Sequence, residues 1–374
     1  MPVEFIGMIN AKDVSETRFS PGPPIDVDYT RRFIVAHEHA GFDKVLINSG
    51  SPQPDGMQLA AFGAGHTERL GFLVSHRPGF LQPTVAARTL ATLDQFAGGR
   101  IAIHIITGGS DIEMARDGDH LTKDVRYART DEYLDVLKLA WTSEAPFDYH
   151  GTYYDITDSW SEVRSPQSPR IPLYFGGSSD AAYRVGSKHA DCYAFWGEPL
   201  AQTAEQIARV RAESEAAGRS EAPAISVSFR PILGPTEELA WERAHRILEA
   251  TKANIAAGSG ALAARRYEPG RTPPNAGSQR LLAAAEAGEL HDRCLWTPLA
   301  AATGAPGNTT ALVGTPETVA EALLDYVDIG VTTLLIRGYD PYDDAIDYGR
   351  DLIPLVRSEV ARRDRERTSQ PVPA

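Results

Sequence analysis

The stretch IPLYFGGSSDAA, Ile171 to Ala182, carries a strand, a turn and the start of a helix in immediate succession. Its apolar run, Ile171–Gly176, is bounded by glycines and fits a strand buried on both faces. Gly176 and Gly177 permit a tight turn with no side chain between the backbone and a ligand. Ser178 and Ser179 fall where the first turn of a helix leaves amide N–H groups unpaired, with two hydroxyls alongside. The helix reads from Ala181 onward. Free N–H groups and the helix dipole both favour an anion, so the turn is a candidate phosphate site. An ordinary serine-capped strand–helix turn would be spelled the same way, and the rest of the chain decides between them.

Working outward, seven more segments read as strands: Val3–Ile9, Asp43–Asn48, Leu70–Ser75, Ile101–Thr107, Asp191–Trp196, Ile225–Leu233 and Thr332–Gly338. Helical patterns lie between them, at Tyr29–His39, Thr84–Gln95, Thr130–Trp141, Ala201–Ala217, Glu237–Ala250 and Pro316–Val327. Strands that look buried on both faces and alternate with helices imply a parallel sheet. Eight of them close a (β/α)₈ barrel, an α/β TIM barrel with insertions. A doubly wound open sheet is the alternative, but its first turn would carry a dinucleotide fingerprint, and Ile9-Asn10-Ala11-Lys12 has none. Two segments interrupt the alternation. Residues 143–170 contain YHGTYYDITD, which reads as an inserted hairpin. Residues 252–310, rich in Ala, Gly and Pro with Arg265, Arg266 and Arg271, read as a mobile lid. That insertion, the longest, falls between the seventh and eighth strands. We therefore expect one barrel domain over 1–360 and a flexible charged tail over 361–374.

Composition bounds the function. The chain has 374 residues, 42% hydrophobic and 23% charged, enough for a large core. A net charge of −13 argues against nucleic acid or an anionic membrane as partner. The start MPVEFIGMIN lacks a basic, cleavable leader and no apolar run is long enough to span a bilayer, so the expected location is the cytoplasm. Cys192 and Cys294 make no disulfide framework, and neither HExxH nor paired-cysteine spacing points to a metal. GGSSD is not the G-x-S-x-G elbow of serine hydrolases.

Several blocks, in order along nearly the whole chain, carry a more specific signal. They are LQPTVAARTLATLDQFAGGR (Leu81–Arg100), IITGGSD (Ile105–Asp111), RYARTDEYL (Arg126–Leu134), IPLYFGGSSDAA, FWGEP (Phe195–Pro199), TALVGTPETVAEAL (Thr310–Leu323) and RGYDP (Arg337–Pro341). In these the chain resembles the bacterial-luciferase-like superfamily of flavin-dependent monooxygenases, and within it the alkanesulfonate monooxygenase group. The resemblance implies reduced FMN as cofactor, O₂ as co-substrate, an NAD(P)H-dependent flavin reductase as partner and a homo-oligomer, dimer or tetramer. It places the FMN phosphate at Gly177, Ser178 and Ser179, with Tyr127 reaching it. Ser75 and Thr107 end strands and face the expected pocket mouth, or else serve as capping hydroxyls. At His104 the resemblance puts a hydrogen-bonding asparagine close to the flavin. A histidine there is either a flavin contact or a satisfied core residue.

For the substrate, the resemblance points to Asn10, Arg230 and Tyr339 as catalytic positions and to Ser228 with Arg230 as substrate contacts. Arg77 is a further candidate cation, and Trp196 at a strand end either walls the substrate chamber or anchors the core. Here the sequence departs from the group. Asn10, Gln53, Ser228 with Arg230, and Thr303 stand where the sulfonate enzymes carry histidine, cysteine, an arginine–histidine pair and a lid arginine. Alternation along Ser226, Ser228 and Arg230 puts all three on the interior face, with Val227 and Phe229 toward helices. Arg230 is then expected to hold the anionic or strongly polar end of the substrate, unless it is a rim salt bridge. A flavin- or deazaflavin-dependent dehydrogenase, or a non-catalytic flavin-binding relative, remains open on the same barrel.

Overall fold

The computed structural model describes residues 3–258, 273 and 275–369. Among them are thirteen strands: β1 Glu4–Ile9, β2 Lys44–Ile47, β3 Gly71–His76, β4 Ile101–Ile105, β5 Phe147–His150, β6 Asp155–Ser159, β7 Leu173–Gly176, β8 Cys192–Trp196, β9 Ala224–Leu233, β10 Leu290–His291, β11 Leu295–Trp296, β12 Ala311–Gly314 and β13 Thr333–Ile336. The eight strands read from sequence are β1, β2, β3, β4, β7, β8, β9 and β13. With their helices they have the (β/α)₈ barrel fold.

The chain divides into two compact units. One comprises residues 44–194 and 208–223. In it β2, β3, β4, β7 and β8 run parallel in that order, with Val45 opposite Phe72, Ser75 opposite His104, and His104 opposite Tyr174. Val74 and Ile47 pack under Gly56 of the helix Gly56–Ala64, so alternate residues such as Ser75 face the other way, into the sheet's inner side. The inserted hairpin is β5 paired antiparallel with β6. Its turn is fastened by the Glu132 carboxylate, which accepts the backbone N–H groups of Thr152, Tyr153 and Tyr154 at 2.7–3.1 Å.

The other unit comprises residues 1–43, 195–207 and 224–374. Its sheet order is β10-β11-β12-β9-β13-β1. The long strand β9 pairs parallel with β13 over Ser226–Phe229 and then with β12 over Arg230–Leu233. Strand β12 has no counterpart in the sequence reading, because ALVG is too short to show a period. It lies in the stretch that follows the helix Pro298–Thr303, and it extends the sheet beside the seventh barrel strand.

From Asn275 onward the segment read as a lid has defined structure. The helix Ala276–Ala287 is capped by Asn275 and leads to β10, β11 and the helix Pro298–Thr303. Arg280 of that helix holds the buried Glu198 carboxylate at 2.8–3.0 Å. Arg265, Arg266 and Arg271 lie outside the described residues. The tail boundary at Ala361 also falls inside an element, since the helix Ile353–Ser369 runs through it. Arg363 in this helix bridges to Asp328 at 2.8 Å and to Glu359, interactions that composition alone does not reveal.

Candidate functional site

Three polar atoms stand out in the unit of residues 44–194. Ser75 Oγ at the end of β3, His104 Nδ1 on β4 and Thr107 Oγ1 just after it are all buried without a hydrogen-bond partner. An unsatisfied buried polar group costs about 1–3 kcal/mol, and native structures hold few of them. Others of this kind occur in the unit, among them Thr130 Oγ1, Tyr154 Oη and Ser187 Oγ, but these three share adjacent strand ends, where a polar ligand can meet them. Burial pulls the His104 pKa down to about 4, so its imidazole is neutral at pH 7. Its Cε1–Nε2 edge lies against Gly176, where a methyl group would come within 3.3 Å of both atoms.

Gly176 leads directly into the anion cradle. Gly177 has φ 140°, a backbone conformation that L side chains rarely adopt. A Cβ there would sit 2.8 Å from the Ala182 methyl and 3.2 Å from the Tyr127 hydroxyl. The Tyr193 hydroxyl donates to the Gly177 carbonyl at 2.7 Å and fixes the turn. Ser179 is the N-cap of the helix Asp180–His189, its Oγ accepting the Ala182 N–H at 3.3 Å. Tyr127 comes from the first turns of the helix Lys123–Thr142 and is hydrogen-bonded to Ser179. Burial raises the Tyr127 phenol, and the Ser179 bond and nearby Arg126 only partly offset it, so it stays a protonated donor. Buried Arg126 ties that helix to the Thr107–Asp111 loop through the Gly108 carbonyl at 3.3 Å and Asp111 at 2.7 Å. The turn Gly177–Ser179 and the Tyr127 hydroxyl from the neighbouring helix thus lie together, and Gly176 joins the turn to His104.

Arg77 stands on the same unit, but its charge is engaged. It donates to the Ser49 carbonyl at 3.1 Å and to Glu113 at 2.7 Å, with Asp117 at 3.7 Å. Its Nε and Nη1 have no hydrogen-bond partner, so an anion there would share the guanidinium with Glu113.

In the second unit the alternation along β9 is as read. Phe229 packs on Tyr326 of the helix Pro316–Asp328, ring centroids 4.6 Å apart, while Ser228 and Arg230 face the interior. Ser228 Oγ donates to the Phe195 carbonyl at 3.3 Å. Arg230 is 1% exposed, yet it does not wait for an anion. Its two Nη groups each hold a Glu16 oxygen at 2.9 Å, and one also donates to the Gly338 carbonyl at 2.9 Å. Its guanidinium lies 3.6 Å from the centre of the Tyr339 ring. The expected substrate-holding arginine is therefore an internal ion pair, a correction whose cause is Glu16. Burial alone would raise the Glu16 carboxyl, but Arg230 and Arg337 outweigh it and hold it well below the usual range. Arg337 reaches the same carboxylate at 3.1 Å.

Tyr339 keeps a buried hydroxyl without a partner, its pKa pushed up to about 12 by burial. Asn10 donates to the Val14 carbonyl at 3.3 Å and shapes its own loop. The Trp196 ring lies under Gly277, where a Cβ would approach within 2.8 Å, and packs on Leu281, Ala300 and Ala305. Sequence reasoning missed Glu16, a single acid in a loop with no periodic signal. It also missed Tyr193, which reads only as one more aromatic of a buried strand.

The family model for luciferase-like monooxygenases matches residues 8–333. The chain belongs to that family. Among solved structures, this luciferase-like chain is similar to a riboflavin lyase with modified FMN and substrate riboflavin (22% identity, 96% of this chain and 92% of that one, TM-score 0.78). It is similar also to the EDTA monooxygenase of Chelativorans sp. BNC1 (19% identity, 96% and 95%, TM-score 0.77). A third is DmoA from Hyphomicrobium sulfonivorans (20% identity, 96% and 88%, TM-score 0.75). At these identities the likeness shows a shared luciferase-like fold. Among the described residues no helix is long and apolar enough to cross a membrane.

Proposed function

We propose that this luciferase-like chain is the oxygenase component of a two-component system. It takes reduced FMN from an NAD(P)H-dependent flavin reductase and uses O₂ to oxidise a small organic substrate. The observation that carries the reading is the pairing of an anion cradle with unsatisfied polar atoms beside it. Gly177, Ser178, Ser179 and Tyr127 suit a single terminal phosphate, while Ser75, His104 and Thr107 offer hydrogen bonds to a polar ring system. One structure of similar fold, a riboflavin lyase, was solved with modified FMN.

When bound, reduced FMN supplies the two electrons and the reactive site for O₂. The chain's residues supply the rest. The Tyr127 hydroxyl and the N–H groups of the first turn after Ser179 bind the phosphate and set the ring's depth. Ser75, His104 and Thr107 fix the ring's orientation through hydrogen bonds. The apolar strand residues around them exclude water from the reacting centre.

The finer reading of the substrate is an alkanesulfonate or related organosulfur compound. Engagement of Arg230 with Glu16 and of Arg77 with Glu113 weighs toward an uncharged member, such as a sulfone, over a sulfonate. We also place the protein in the cytoplasm as a homo-oligomer.

The test begins with binding. FMN should bind more tightly than FAD, because a single phosphate cradle is apparent. Ser179→Ala should weaken FMN by about 1 kcal/mol, one hydrogen bond, and riboflavin hardly at all. Turnover is then followed with a flavin reductase on a panel of sulfones and sulfonates. Equal affinity for FMN and FAD, or hydride transfer to a deazaflavin without O₂, would replace this reading with the dehydrogenase one.

A further inference from the structure

The half-buried His104 of the inner face differs from the buried histidines His37, His76 and His189. His37 Nδ1 meets the Phe33 carbonyl at 2.9 Å, His76 Nε2 meets the Tyr133 hydroxyl at 2.7 Å, and both ring nitrogens of His189 are engaged. Among the described residues, His104 alone has a buried ring nitrogen with no partner. The cause lies in its place on the sheet. His104 is opposite Ser75 on β3 and opposite Tyr174 on β7, so its side chain projects to the inner face and not toward the helices. The ring reaches Gly176, whose missing side chain leaves room for the imidazole edge one residue before the phosphate cradle.

The resemblance to flavin monooxygenases leads one to expect asparagine at this position. An asparagine amide can hydrogen-bond but does not act as a base, whereas an imidazole can accept a proton transiently even where burial depresses its basicity. The exchange of asparagine for histidine thus adds a chemical ability, at the cost of a buried nitrogen that only a ligand satisfies.

We propose that His104 is the proton-carrying residue of the flavin site, taking one proton released as reduced FMN is oxidised and passing it to the oxygen atom that leaves as water. The balance is that of a monooxygenation. Substrate, O₂ and FMNH₂ give oxygenated substrate, FMN and water, with two electrons and two protons moving from the flavin to oxygen. His104 carries one of those protons and ends as it began. Its depressed basicity fits this use, because an imidazolium formed there gives its proton up readily. The proposal rests on the flavin reading above.

The experiment compares the wild-type protein with His104→Asn and His104→Gly. FMN dissociation constants are read from flavin fluorescence. Flavin reduced on the protein is then mixed with O₂ without substrate, and its return to the oxidised spectrum is followed. Both variants should weaken FMN by no more than about tenfold, the worth of the one hydrogen bond that His104 gives the ring. Without substrate the balance is FMNH₂ and O₂ to FMN and hydrogen peroxide, with His104 carrying one of the two protons, and this reoxidation should slow by about 100-fold, within the range for general acid–base groups. Added imidazole should restore His104→Gly, because the vacated site beside Gly176 admits the free ring, and should leave His104→Asn unchanged. Wild-type reoxidation rates in both variants, or a lost FMN affinity with no response to imidazole, would overturn the proposal. Failure of the wild-type protein itself to bind FMN would instead remove the flavin reading.

Discussion

Arg230→Ala is expected to destabilise the folded chain by about 3–5 kcal/mol, the range for breaking a buried ion pair. The substitution leaves Glu16, 12% exposed on its side chain, facing the space its partner filled. Arg337 remains on the same carboxylate at 3.1 Å, so the loss should fall toward the lower end. Tyr339 also loses the guanidinium stacked on its ring. Glu16→Gln with Arg230→Met should recover part of the loss, since neither charge is then stranded. The pH dependence has a definite sign. The Glu16 carboxyl is held below its unfolded value, so its contribution is present above the ordinary carboxylate range. It disappears as pH falls through the depressed folded value. Urea unfolding of wild type and Glu16→Gln should therefore differ at pH 7 and converge in strong acid. An Arg230→Ala protein within about 0.5 kcal/mol of wild type, the scatter of ordinary surface changes, would show that the pair is not structural.

The fold was legible because each barrel strand is a short apolar run bounded by turn residues. All eight runs fall on strands, and the helix starts carry their own signals, such as Ser179 before Asp180 and Thr315 before Pro316. What stayed hidden has a common physical character. Strand β12 is four residues long, and its identity comes from pairing with Arg230–Leu233, a partner far away in sequence. The helix Ala276–Ala287 sits in an Ala- and Gly-rich stretch whose composition suits a loop equally well. It is held by Arg280 on Glu198 and by Gly277 on Trp196, contacts that exist only in the folded chain.

The candidate site divides in the same way. Ser75, Thr107, Gly177 and Ser179 were readable as strand ends and a helix start, whose chemistry is fixed, whereas His104 drew attention only through the family resemblance. Arg230 was placed on the correct face by period-two alternation, yet its role depended on Glu16, a loop residue more than two hundred positions earlier. Periodicity tells which way a side chain points and says nothing of what it meets. Arg77 is the same case, its charge met by Glu113 and Asp117 from the loop and helix after β4.

Gly177→Val is expected to abolish tight FMN binding while leaving riboflavin binding and the barrel largely intact. At φ 140° a side chain is strained, at about 1–3 kcal/mol for such backbone positions, and the branched group has nowhere to go. Even the first carbon would stand 2.8 Å from Ala182 Cβ, inside the first turn of the helix that presents its N–H groups, and 3.2 Å from the Tyr127 hydroxyl. Relief requires the turn to open, which withdraws Ser179 and Tyr127 from each other and disperses the donors that meet a phosphate. Loss of two such charge-assisted bonds corresponds to about 3–6 kcal/mol, or a hundredfold and more in affinity. Riboflavin has the same ring system without the phosphate, and it draws instead on Ser75, His104 and Thr107. Its affinity should change by less than about 1 kcal/mol, the worth of one neutral hydrogen bond. Fluorescence titration of both flavins against wild type and Gly177→Val measures the two constants in one experiment. If FMN and riboflavin weaken by the same factor, the turn does not hold the phosphate, and the anion must bind elsewhere on the chain.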